Sequence, residues 1–131
     1  MKKVIFALLL VPMISFAGEQ PNTLQQMMKS FEDATVNILR GFLYDRDQQI
    51  IENAHIIANH PSNPDEMLKY VRPERRTANF KRLLINIDNI VKSNAKDIEI
   101  YMKQGKKNLA SEKFANMLKG CNSCHAIFRG W

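Results

Sequence analysis

The chain has 131 residues, of which 45% are hydrophobic and 24% are charged, and this is the length of one domain. The composition is too polar for a membrane helix bundle and too apolar for a disordered chain, and two cysteines are too few for a disulfide-rich scaffold. A net charge of +6 is basic, but it is below the level that indicates a nucleic-acid-binding protein.

The first 17 residues, MKKVIFALLLVPMISFA, have the layout of a secretory signal peptide. Two lysines precede an apolar run, and small residues stand before the expected cleavage after Ala17. A membrane anchor is the alternative, but a membrane span needs about 20 apolar residues, and this run is shorter and interrupted by Pro12. We therefore expect cleavage after Ala17, which leaves the mature domain Gly18–Trp131 in a bacterial periplasm, without a membrane span.

Four segments with helical periodicity follow, and none alternates in the manner of a strand. The predicted buried stripe of the third segment includes Leu83, Leu84, Ile90 and Val91. The expected helices run from a capping box at Thr23 to residues 41–45, from Asp47 to Asn59, from Thr77 to Gly105 and from Asn108 to Phe128. Residues 61–76 contain three prolines and form the longest connection. Because the other two turns are short, the pattern predicts an all-α fold, an antiparallel up-down-up-down four-helix bundle. A looser all-α fold is the alternative.

The last predicted helix contains Cys121-Asn122-Ser123-Cys124-His125, a Cys-x-x-Cys-His motif typical of c-type haem attachment. Residues three and four apart share a helix face, so both thiols can form thioethers with one haem and His125 can bind its iron. The alternatives are a redox-active Cys-x-x-Cys, which needs a βαβ context, a structural disulfide, and a zinc site, which needs about four ligands and would draw on His55 and His60. Both cysteines of the chain fall within the motif, which favours one covalent haem c.

A methionine of the first helix is the candidate for the other side of the iron. In an antiparallel bundle Met28 and His125 each lie about one and a half turns from the same end. Met28 also belongs to the buried stripe of its helix, with Leu24 and Phe31, so its thioether can approach the iron opposite His125. The alternatives are core packing of Met28 and ligation by another residue, namely Met27, His55 or His60.

Several basic residues are expected near the haem end of the bundle. Arg129 follows the motif and is a candidate contact for a haem propionate. The arginines of the long connection and the helix after it are expected to reach propionates or partner proteins, with a solvated surface as the alternative: Arg72, Arg75, Arg76 and Arg82. We expect His60, which precedes Pro61, at a solvated helix end, and Gly120 at a close approach of haem or of a neighbouring helix.

This all-helical chain, with Cys121-x-x-Cys124-His125 near its end followed by Phe128-Arg129, resembles the cytochrome c prime family, the class II c-type cytochromes. The resemblance covers nearly all of Gly18–Trp131 in length and helix pattern. It implies a four-helix bundle with one covalent haem c and His125 as the proximal iron ligand. Members of the family often pair through their first two helices, which implies a possible homodimer.

The resemblance also bears on the sixth iron ligand. Met27-Met28-Lys29 is similar to the run through which low-spin members bind the iron by methionine, whereas other members leave the iron five-coordinate. Many members have an arginine four residues earlier, where this chain has Leu24. The departure removes the propionate contact that the family would imply at this position.

These observations favour a periplasmic one-electron carrier that is not an enzyme, because the sequence offers no general base, nucleophile or substrate pocket. Methionine with histidine raises the reduction potential of haem, and the positive charge favours redox partner proteins with acidic docking patches. The first alternative is a five-coordinate protein that binds nitric oxide or carbon monoxide, which requires that Met28 does not hold the iron. The second is a structural zinc or disulfide helical bundle.

Overall fold

The computed structural model describes residues 23–129, which are all-helical and contain no strand. The predicted signal peptide, residues 1–17, lies outside the described residues. The five helices are α1 (Thr23–Leu43), α2 (Asp47–Ala58), α3 (Pro64–Leu68), α4 (Ala78–Lys103) and α5 (Lys107–Arg129), and a 3-10 turn, Pro73–Arg75, precedes α4. None of the described helices is both long and apolar enough to span a bilayer. The prediction of an all-α fold is confirmed.

The ends of the helices follow from local chemistry, and the four long helices match the predicted spans to within about two residues. Thr77 caps α4, because its hydroxyl oxygen accepts a hydrogen bond of 3.2 Å from the backbone N–H of Phe80. Asn63 caps α3 in the same way through Glu66. Gly105 follows the end of α4 with φ of +70°, a conformation that glycine adopts without strain.

The long helices pack in sequence, α1 against α2, α2 against α4 and α4 against α5. Asn37 of α1 donates a hydrogen bond of 3.3 Å to Asn53 of α2, and Gly120 of α5 lies against Val91 of α4. Among residues 23–129, α1 and α5 make few close contacts with each other. A gap between the first and last helices is therefore part of the fold.

Two groups of buried side chains form the core. The larger joins all four long helices and includes Ile38, Ile50, Ile98 and Met117, and the smaller lies beside α3 and consists of Met67, Val71, Phe80 and Leu84.

Two residues assigned to the buried stripe of α4 are exposed instead, Leu83 by 42% and Ile90 by 49%. Each immediately precedes a buried residue, Leu84 or Val91. A step of one residue turns a side chain by about 100° on a helix, so Leu83 and Ile90 leave the core face.

Candidate haem site

A cavity of about 810 Å³ lies between α1 and α5, where these helices stand apart. Its volume falls within the range of about 300–1,000 Å³ that is usual for small-molecule sites. The wall is mainly apolar, and the apolar side chains that form it include Leu24, Phe31, Ile87, Val91 and Phe128. An apolar wall of this kind suits a flat hydrophobic ligand.

The structure brings all three chemical groups of the Cys-x-x-Cys-His motif to this cavity. Cys121, Cys124 and His125 line it from α5, because residues three and four apart share one face of a helix. Cys121 also packs against the larger core group and Cys124 against the smaller one. Both cysteines are free thiols and half-buried, so both sulfur atoms are available to a ligand in the cavity.

Burial keeps the two thiols in their neutral form. It raises the pKa of Cys121, and burial together with repulsion from Cys121 and Asp88 raises the pKa of Cys124 to about 11. A thiolate is the form that binds metals and attacks disulfides, whereas a thioether carries no charge. The surroundings of both sulfurs therefore suit thioethers better than thiolates. Within residues 23–129, no three His, Cys, Asp or Glu side chains form a group that could hold a metal.

Met28 lines the cavity from α1, the helix across from the motif. Leu24 and Phe31, its partners in the predicted stripe, line it as well, and all three are only half-buried. The stripe thus lines the cavity, while Leu24 also packs against the smaller core group and Phe31 against the larger one. Met27, the neighbouring candidate, packs against the smaller core group instead.

The two histidines outside the motif have other partners. His55 is exposed, and its Nδ1 lies 3.3 Å from Oε2 of Glu99. His60 is only 7% exposed, so the expectation of a solvated helix end is wrong. Its ring lies against Phe31, with centroids 4.5 Å apart, and both of its nitrogens have hydrogen-bond partners. His60 supports the wall of the cavity from behind.

Asp88 is a cavity residue that the sequence reasoning missed. It accepts hydrogen bonds from His60 and from the hydroxyl of Ser62. Burial opposes ionisation of Asp88, but these hydrogen bonds outweigh burial and lower its pKa. The available signal was spacing, because Asp88 stands four residues after Leu84 and so falls on the buried stripe of α4.

Apolar residues at the rim of the cavity were also missed. Val36 and Leu118 line the cavity, yet they are 40% and 39% exposed. Exposed apolar side chains around a cavity indicate a surface that a ligand covers.

Two arginines near this end of the fold donate hydrogen bonds to backbone carbonyl groups. Arg75 donates a hydrogen bond of 3.3 Å to the carbonyl oxygen of Ile127, and Arg76 donates to those of Val71 and Lys69. Arg129 ends α5, but its side chain lies outside the described part of the chain. Its expected propionate contact thus stays a prediction.

The chain matches no protein-family model, no curated protein and no solved structure.

Proposed function

We propose that this chain is a periplasmic mono-haem c-type cytochrome, similar to the cytochrome c prime family, that carries one electron at a time. One observation carries the proposal. Two thiols, an imidazole and a thioether, brought from opposite ends of the chain, line one apolar cavity: Cys121, Cys124, His125 and Met28. A c-type haem uses this donor set, with two cysteines for attachment and histidine and methionine for the iron.

We also propose the antiparallel up-down-up-down arrangement of the four long helices. The contacts between α1 and α2 support it, because they run in opposite directions along the two helices. Asn37 contacts Asn53, whereas Gly41, which is further along α1, contacts Ile50, which is nearer the start of α2. On α4 and α5, Asp97 pairs with Lys113 while the earlier residue Val91 meets the later residue Gly120. Such an arrangement places the start of α1 and the end of α5 at the same end of the bundle.

Each part of the cavity has a separate role in this proposal. Cys121 and Cys124 would hold the haem covalently, and His125 and Met28 would be the two protein ligands of its iron. The haem supplies an iron that gains or loses one electron. The apolar side chains of the cavity, among them Leu24 and the half-buried Phe31, exclude water from the site. Both this exclusion and the Met/His ligand pair favour a high reduction potential.

Binding of a neutral diatomic gas is the second candidate function. Met28 is half-buried on the α1 side of a large cavity, and an unbranched methionine moves easily. If Met28 leaves the iron, Leu24 and Phe31 form an apolar pocket that admits nitric oxide or carbon monoxide. A homodimer through α1 and α2 stays an expectation from the resemblance.

Mass spectrometry and an absorption spectrum of the exported, purified protein test the proposal. We expect the mass of the mature chain plus one haem, retained after denaturation in acidified acetone, and a low-spin spectrum with a methionine-to-iron charge-transfer band. A double variant, Cys121→Ser with Cys124→Ser, is expected to lose the covalent haem, and Ser123→Ala is the matched control within the motif. A wild-type protein without covalent haem refutes the proposal. A high-spin spectrum that responds to carbon monoxide supports the gas-binding alternative.

A further inference from the structure

Three exposed arginines lie on the connection between α3 and α4, which contacts the last turns of α5. This arginine patch consists of Arg72, Arg75 and Arg76. Arg75 contacts the carbonyl oxygen of Ile127, which is two residues beyond His125 and adjacent to Phe128 of the cavity wall. The patch therefore lies beside the end of α5 that carries the Cys-x-x-Cys-His motif.

The patch keeps its positive charge. Within residues 23–129, no carboxylate oxygen lies within 4 Å of any of its three guanidinium groups, although Glu74 lies between them in the sequence. The carboxylates of α3 are engaged elsewhere, since Glu66 pairs with Lys69 and Asp65 pairs with Lys81, each at 2.6 Å. The lysines around the patch are thus neutralised, while its arginines are not.

Two of the arginines are also held in place. Arg76 donates hydrogen bonds of 2.8 Å and 3.0 Å to the carbonyl oxygens of Val71 and Lys69. Arg75 lies over the ring of Phe80, 5.1 Å from its centroid. Carbonyl oxygens and an aromatic ring fix a guanidinium group without cancelling its charge. Such groups lose less entropy when they bind a carboxylate, and their planar fork matches a carboxylate in two hydrogen bonds.

We propose that the arginine patch is the docking surface for the acidic face of a protein that exchanges one electron with this cytochrome. The inference rests on the proposed function, because the partner is a redox protein only if the cavity beside the patch holds the haem. One electron passes between the partner's redox centre and the haem, and no atom is transferred. Glu66 and Asp65 pair with Lys69 and Lys81 on either side of the patch, so acidic groups interrupt the positive surface, which suits a protein partner better than a continuous anionic membrane surface.

Binding of a fluorescein-labelled oligoglutamate peptide to the purified protein, followed by anisotropy at low ionic strength, tests the surface. We expect the double variant Arg72→Gln with Arg75→Gln to raise the dissociation constant about three- to tenfold. The side chain of Arg72 makes no hydrogen bond or ion pair among the described residues, so Arg72→Gln alone keeps the test valid if the double variant folds poorly.

The matched control is Arg40→Gln with Arg46→Gln, which removes the same charge. Arg40 lies in the last turn of α1 and Arg46 immediately precedes α2. Asp47, next to Arg46, pairs at 2.8 Å with Lys107 at the start of α5, so this end of the fold is away from the motif. We expect this control to bind the peptide nearly as well as the wild type. Equal weakening in both double variants, or none in the patch variant, overturns the inference.

Two further readouts separate the inference from the proposed function. Sedimentation with phosphatidylglycerol vesicles that depends on Arg72 and Arg75 overturns a protein partner in favour of a membrane surface. The absorption spectrum of the same preparation reports on haem independently of peptide binding. A protein that binds the peptide through the patch but carries no covalent haem overturns the proposed function, and with it the redox character of the partner. A haem-loaded protein that ignores the peptide overturns the docking surface alone.

Discussion

His60 and Asp88 form a buried pair behind the cavity wall, with Nε2 of the imidazole 2.7 Å from Oδ1 of the carboxylate. The second ring nitrogen of His60 lies 2.6 Å from the carbonyl oxygen of Ile57. The pair ties the end of α2 to α4, and Phe31 rests on the imidazole.

Replacement of Asp88 by Asn is expected to lower the free energy of unfolding by about 2 kcal/mol, because a neutral amide replaces the carboxylate that accepts hydrogen bonds from His60 and Ser62. Urea unfolding monitored by circular dichroism measures the loss. Asp97→Asn is the control, since Asp97 pairs with Lys113 at the surface, at 3.0 Å, and exposed pairs contribute about 1 kcal/mol or less. Equal losses in the two variants would contradict the role of the buried pair.

Glu99 makes the stability of the fold depend on pH in the acid range. Its hydrogen bond from Lys103 outweighs burial and, with further bonds from Lys96 and His55, lowers the pKa of Glu99 from 4.5 to about 2. A lowered folded-state pKa means that the stabilisation is complete above pH 4.5 and is lost as the pH falls towards 2.

Glu99→Gln is therefore expected to flatten the decline in stability between pH 4.5 and about 2. At neutral pH it should cost about 1 kcal/mol, because the ammonium groups of Lys96 and Lys103 are more than half exposed and solvent screens them. Thermal unfolding across this pH range measures both effects. Glu112→Gln, at an exposed position of α5, is the control, and a parallel change there would argue against Glu99 as the source.

Under the proposed function, replacement of Met28 by Ala is expected to convert a low-spin spectrum into a high-spin one and to lower the reduction potential, because the iron would lose its proposed thioether ligand. Absorption spectroscopy and a redox titration measure the two changes. Met27→Ala removes the same side chain from a position outside the cavity wall and should leave the spectrum unchanged. If the Met27 variant became high-spin and the Met28 variant did not, the assignment would be reversed.

Gly120 allows α5 to pack closely against α4. A Cβ atom at this position would lie 2.9 Å from Cγ2 of Val91 and 3.5 Å from Cγ2 of Ile90. Gly120→Ala gains about 1 kcal/mol of helix propensity, but overpacking costs about 1–3 kcal/mol. We expect a net loss of about 1 kcal/mol in chemical denaturation, and Gly120→Ala with Val91→Ala should recover part of the packing cost. A net gain in stability for the single variant would show that α4 moves away from the added methyl group without a packing cost.

The sequence predicted the features that depend on neighbours along the chain. The start of a helix near Thr77, its end near Gly105 and the shared face of Cys121 and Cys124 all depend on residues within a few positions, and the structure places them as expected. The pairing of His60 with Asp88 could not be predicted, because the two residues are 28 positions apart. Their contact depends on how the end of α2 lies relative to α4. Leu83 and Ile90 were assigned to the core for a related reason, since periodicity gives the width of an apolar face only approximately.

The separation of α1 from α5 has a consequence for biogenesis under the proposed function. The later part of α1 is held in the core, where the ring of Phe42 lies 5.8 Å from that of Phe114 of α5, so the four long helices can pack together before the cavity is filled. Haem would then enter from the open side, between the start of α1 and the end of α5. Its attachment to Cys121 and Cys124 would thus be a late step in folding.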